Sequence, residues 1–126
     1  MLLDPQDLSK LVKDAPDVIR LVRSAQSHDL LVAVSNLTLL EAWNPRGRLD
    51  RFRWQVSKLE VLPVTETISW RALDLLRDAG LHGHKYAIDS VVAATALGYA
   101  GPRVIVTSDV DDMVKLCGKR AAIAQV

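Results

Sequence analysis

Val104-Ile105-Val106-Thr107-Ser108-Asp109 is a branched aliphatic run followed by two hydroxyl residues and a carboxylate. Such a run is too short for a buried helix and reads as a strand buried on both faces, with an acid waiting at its carboxyl end. Two runs upstream repeat the pattern, Leu30 to Val34 and Val61 to Val64, and longer stretches with helical periodicity lie between them. Strands alternating with helices predict an α/β domain with a parallel sheet. Met1 to Leu3 and Ala121 to Val126 supply a first and a last strand, the first having only three residues before Asp4. Helices are expected over Pro5–Lys13, Pro16–Ser27, Leu37–Trp43, Leu49–Leu59 and Ile68–Ala79, the last stopped by Gly80. Ile88 to Tyr99 is apolar nearly all round and predicts a buried helix.

The chain of 126 residues carries no repeat, low-complexity tract or linker that would divide it, so a single domain over 1–126 is expected. Hydrophobic residues make up 49% and charged residues 25%, with a formal net charge of +1, a composition that argues against disorder and against a globally basic nucleic-acid binder. Cys117 is the single cysteine, which excludes an internal disulfide and a cysteine-based zinc cluster and fits a reducing, cytoplasmic setting. The opening Met1-Leu2-Leu3-Asp4 lacks the pattern of a signal peptide, and the longest apolar run, Ser90 to Ala100, is too short to span a bilayer.

Ligands of open parallel sheets gather at the carboxyl ends of the strands. Asp4 and Asp109 both stand there, Glu41 lies in the helix that follows the second strand, and Asp89 is read as opening the buried helix 88–99. Asp is a favoured helix cap, which is the plain reading of Asp4, Asp89 and Asp109 taken singly. Glu41 resists it, because Leu37 and Leu40 share its helix face, and an unpaired carboxylate on an apolar face costs on the order of a few kcal/mol. Convergence of the four acids on a divalent cation would relieve both that cost and their mutual repulsion. An all-oxygen donor set suits magnesium or manganese. Zinc is disfavoured, since the imidazoles His82 and His84 sit in the glycine-containing turn Gly80–Lys85. No Ser-His-Asp pattern, phosphate-binding glycine loop or dinucleotide fingerprint is present. A receiver-like signalling domain fits poorly, because the candidate Lys115 falls inside a helix.

The segments Leu3-Asp4-Pro5, Leu39-Leu40-Glu41, Ala87 to Ala96 and Val106 to Asp112 together resemble the acidic motifs of PIN domains, and of the VapC-type toxins among them. The resemblance covers essentially the whole chain. It implies a three-layer α/β/α sandwich around a five-stranded parallel sheet and a magnesium- or manganese-dependent endoribonuclease acting on single-stranded RNA. It also implies a cognate, VapB-like antitoxin. Residue by residue, the family's four acids fall on Asp4, Glu41, Asp89 and Asp109, with Asp112 as an auxiliary ligand and Thr107 as the hydroxyl before the fourth acid.

Between Asn44 and Lys58 the chain carries Arg46, Arg48, Arg51, Arg53 and Lys58 against Asp50 alone. The run follows Glu41 and is expected to hold RNA phosphates through Arg46, Arg48 and Arg51, a solvated helix face being the plainer alternative. Trp43, Trp54 and Trp70 are expected to pack in the core or at a subunit interface rather than stack on bases. The partners expected are RNA, the antitoxin seated in an apolar groove to which Leu8, Leu11 and Leu40 contribute, and a second copy of the chain as a homodimer, with no membrane. The competing expectation is a non-catalytic PIN-like module that binds RNA or protein.

Overall fold

The computed structural model describes residues 1–126. Five strands, β1 (Leu2–Leu3), β2 (Ala33–Ser35), β3 (Glu60–Leu62), β4 (Val104–Val106) and β5 (Ala122–Ala124), form one sheet in the order β3-β2-β1-β4-β5. Every pairing is parallel, with Leu2 opposite both Ala33 and Ile105. Seven helices complete the chain: α1 (Pro5–Val12), α2 (Pro16–Ser27), α3 (Asn36–Ala42), α4 (Leu49–Val56), α5 (Glu66–Ala79), α6 (Gly83–Leu97) and α7 (Val110–Cys117).

Strand alternation divides the core into two layers. Leu2, Ala33 and Ile105 face one side and pack against Ala72 and Leu75 of α5, the 92–97 segment of α6, and Met113, Leu116 and Cys117 of α7. Leu3, Val34 and Val106 face the other, against Leu8 and Leu11 of α1, Val18 and Val22 of α2, and Phe52 of α4. The expected three-layer α/β/α sandwich is therefore present. Burial pushes the Cys117 thiol up, so it serves as a small apolar residue in the core. No helix is long and apolar enough to cross a membrane.

Local chemistry sets most of the element ends. Asp4 caps α1 by accepting the Asp7 N–H at 2.8 Å, with Pro5 in the first helical turn. Thr65 caps α5, and Gly80, at φ +66°, closes it in the left-handed conformation that glycine adopts without strain. The helix expected from Ile88 begins instead at Gly83. The His82 ring accepts the His84 N–H at 3.1 Å, which starts a helical turn inside the stretch read as a loop, and the backbone then kinks at Tyr86. Asp89 accordingly lies within α6, three residues past the kink, and does not open the helix.

Two expectations about apolar side chains are corrected. Leu8 and Leu11 are core residues, 0% and 4% exposed, whereas Leu40 is 75% exposed, so the three do not line one groove. The amphipathic face of α1 is consumed by the sheet, and Leu40 points away from it. A separate hollow lies between α2 and α4, bordered by Leu11, Ile19, Val22, Trp54 and Leu59. Nor does any tryptophan enter the core. Trp43 meets Phe52 edge-on at 5.7 Å, Trp54 lies under the Lys58 ammonium at 3.2 Å, and Trp70 stands out from α5 at 60% exposure. The core is built mainly from aliphatic side chains and alanines, with Phe52 as its one aromatic residue.

Candidate metal centre

The central position of β1 brings the ends of β1 and β4 side by side, because the chain winds to β2 and β3 on one flank and to β4 and β5 on the other. Asp4 follows β1, and Asp109 follows β4 by way of Thr107 and Ser108. The first turn of α7 returns Asp112 beside Asp109, and α6 brings in Asp89 from the helical layer. Carboxylate oxygens of Asp89, Asp109 and Asp112 all lie within 4.8 Å of one another. Asp112, expected only as an auxiliary, is a full member of this triad.

Asp4 is buried beside the triad and ties its loop down. Its Oδ1 accepts the Asp7 N–H, and its Oδ2 accepts the Ser108 N–H at 3.3 Å. Each carboxylate oxygen has a second lone pair, so these bonds leave Asp4 able to accept a further donor or ligand. The capping role weighed against Asp89 and Asp109 is absent: the Asp109 side chain bonds no backbone N–H of α7, and Asp89 stands inside its helix.

Glu41 is corrected in its reasoning. It is exposed on α3 beside the exposed Leu40, so it does not point into an apolar face, and it lies outside the triad. Its charge nevertheless reaches the site. The Asp89 carboxyl is pushed up to about 6, first by loss of water and then by Asp109, Asp112, Glu41 and Asp4 in that order. Asp109 is also raised, by partial desolvation and by Asp112, which is close enough to share its proton. Lys115 approaches Asp112 at 3.3 Å, and Lys85, one turn before Asp89, lies against the Tyr86 ring at 5.1 Å and forms no ion pair. A group of carboxylates that raise one another's affinity for protons is short of positive charge. The donors are all oxygen, and the exposed histidines His82 and His84 are not among them, which fits a hard divalent cation such as magnesium or manganese.

Thr107 is wholly buried, and its Oγ1 accepts the Asp109 N–H at 2.9 Å. The hydroxyl thus orients the fourth acid from below and does not open onto the site. Of the arginines, Arg48 pairs with Asp50 at 2.6 Å, and Arg51 is bound to Asp14 and to the Val12 carbonyl. Arg46 has no acidic partner and borders a hollow with Trp43 and Asn44. Two residues escaped the sequence reading. Asp7 is fully buried, with its carboxyl pushed up to about 6 by burial and by Asp4, and its Oδ2 has no hydrogen-bond partner. Lys10 bonds its Oδ1 at 3.1 Å.

The fold recurs in solved structures. A chain of the VapBC2 complex of Rickettsia felis, bound to a DNA fragment from its promoter, superposes over 99% of this chain and 97% of its own with a TM-score of 0.73. The chain has a VapC-like PIN fold. A chain of a toxin–antitoxin complex from Klebsiella pneumoniae also superposes, over 88% of each chain at a TM-score of 0.66. The identities are 14% and 18%, so the likeness is one of fold. No family model and no curated protein sequence matches the chain.

Proposed function

We propose that this chain is a divalent-metal-dependent endoribonuclease that hydrolyses single-stranded RNA, and the toxin of a toxin–antitoxin pair. The observation that carries the reading is the triad of Asp89, Asp109 and Asp112, gathered within 4.8 Å at the carboxyl edge of the sheet, in which three carboxylates meet a single ion-pair partner, Lys115. Asp89, Asp109 and Asp112 would hold magnesium or manganese, with Asp4 beneath them and Glu41 contributing from α3. A bound divalent ion supplies charge compensation for the transferring phosphoryl group and lowers the proton affinity of an attacking water. Thr107 and the Asp4 bond to Ser108 hold the loop so that Asp109 faces the same point as Asp89. Arg46 is the readiest phosphate contact, since Arg48 and Arg51 must first leave Asp50 and Asp14.

The fold shared with chains of two toxin–antitoxin complexes supports an antitoxin as partner, and the exposed Trp70 and Leu73 on α5 offer apolar surface for pairing two copies. The test is cleavage of single-stranded RNA by the purified chain in magnesium or manganese, with Asp89→Asn as the probe. Loss of cleavage in the variant and in EDTA, with duplex DNA untouched by the parent, is expected. Cleavage that survives EDTA overturns the mechanism. A parent that binds RNA without cutting it returns the fold to the non-catalytic binding module.

A further inference from the structure

Lys115 pairs with Asp112 in the acidic triad, whereas Lys10 bonds the loop that carries Asp109. The Lys10 Nζ meets three acceptors, Asp7 Oδ1 at 3.1 Å, Ser108 Oγ at 3.0 Å and the Val126 carbonyl at 3.2 Å, which uses all three of its N–H donors. The acceptors belong to three separate parts of the fold: α1, the loop between β4 and α7, and the segment after β5. Ser108 is held twice, through its Oγ by Lys10 and through its N–H by Asp4 Oδ2. Its neighbours on either side are Thr107, buried and bonded to the Asp109 N–H, and Asp109 itself, exposed and without a cap bond of its own. The direction of the Asp109 carboxylate is therefore set by how residues 107 and 108 are fastened.

We propose that Lys10 is a positioning residue of the acidic site, which locks the 107–109 loop onto α1 so that Asp109 is held at ligating distance from Asp89 and Asp112. The inference rests on the metal-centre reading given above. It also accounts for Asp7, a fully buried carboxylate on α1 that nothing in the proposed chemistry uses: Asp7 anchors the ammonium from beneath. A lysine used this way spends its charge on geometry, and because all three donors are taken it has none left for an RNA phosphate.

The experiment measures Mn2+ affinity by calorimetry, together with RNA cleavage, in the parent, in Lys10→Met and in Ser108→Ala. Lys10→Met keeps the aliphatic stem and removes every donor. It also strands Asp7, so Ser108→Ala, which deletes only the loop end of the clamp, decides the matter if Lys10→Met does not fold. Thermal melts establish folding before either readout. Mn2+ binding is expected to weaken about tenfold in each variant, the low end of the effect of losing an outer partner of a metal ligand. The turnover number should fall while KM for RNA stays at the parent value. The double variant should bind Mn2+ no more weakly than the weaker single one, since both remove the same contact. A folded Ser108→Ala that binds Mn2+ like the parent overturns the clamp, as does an additive double variant. A raised KM with unchanged Mn2+ affinity assigns Lys10 to the substrate and overturns it too. A parent that binds no Mn2+ overturns the metal-centre reading first, and the clamp falls with it.

Discussion

Asp89→Asn separates electrostatics from packing at the heart of the acidic site. In the folded chain the Asp89 carboxyl titrates at about 6, against an ordinary 3.8, because it has lost water and faces Asp109, Asp112, Glu41 and Asp4. Between those two values the folded state binds more protons than the unfolded one, so stability falls as pH rises through the window and the whole loss is present above about pH 6. Taken at full strength the shift corresponds to about 3 kcal/mol. Asp89 is only half-buried, and solvent screening reduces the figure to about 1–2 kcal/mol. Asn has nearly the same shape and does not titrate, and no hydrogen bond is lost because Asp89 makes none through its side chain. In metal-free buffer near pH 8 the variant is therefore expected to melt about 4–8 °C above the parent, at roughly 4 °C per kcal/mol for a domain of this size. The gap should close near pH 4, where the parent carboxyl is protonated, and it should narrow at pH 8 when magnesium is added, because the ion stabilises the parent by binding. Thermal denaturation followed by circular dichroism across that range is the assay. A difference that stays flat with pH, or a variant less stable than the parent at pH 8, refutes the electrostatic account of the site.

Mn2+ affinity, measured by titration at several pH values, should drop roughly tenfold per pH unit below about 6 if one proton must leave the site for each ion bound. Leu8→Ala should cost about 2–5 kcal/mol in chemical denaturation, whereas Leu40→Ala should stay within about 0.5 kcal/mol, since only the first empties core volume. Thr107→Val, nearly the same shape, should cost about 1–2 kcal/mol by leaving the Asp109 N–H without its acceptor, and a melting temperature equal to the parent's would deny Thr107 its part in holding the loop.

The sheet was legible because its strands are runs such as Val104–Val106, whose composition suits few other conformations, and because Pro16, Asn44-Pro45 and Gly80 punctuate the helices. The start of α6 was not, since it depends on a histidine ring bonding a backbone N–H two residues ahead, a local choice that His82 and Gly83 do not announce. Asp4, Asp89 and Asp109 were singled out from their places relative to strand ends and to the apolar helix, and the structure sets Asp89 inside that helix rather than at its start. Glu41 was argued from the wrong surroundings. Its flanking Leu37 and Leu40 at one and four residues' distance mirror the Leu8 and Leu11 that flank Asp7, and the same rule of a carboxylate on an apolar stripe holds for Asp7 and fails for Glu41. Which stripe the sheet covers is a tertiary fact, decided by where α1 and α3 leave their strands. The Lys10 contacts reach across to residues 108 and 126, a separation that no helical or strand periodicity encodes.

The two-residue strand β1 at the middle of the sheet has a kinetic consequence. Leu2 pairs with Ile105, and the acids of the site run from Asp4 to Asp112, so the contacts that assemble it close loops nearly as long as the chain. Non-local pairing of this kind makes folding slow, because the entropy of bringing the ends together is lost before any contact rewards it. During vectorial synthesis β1 has only β2 for company until β4 has emerged, and a nascent or truncated chain that stops before Val104 has no loop to carry Asp109. The acidic cluster is thus among the last features to exist, and its appearance reports a finished fold.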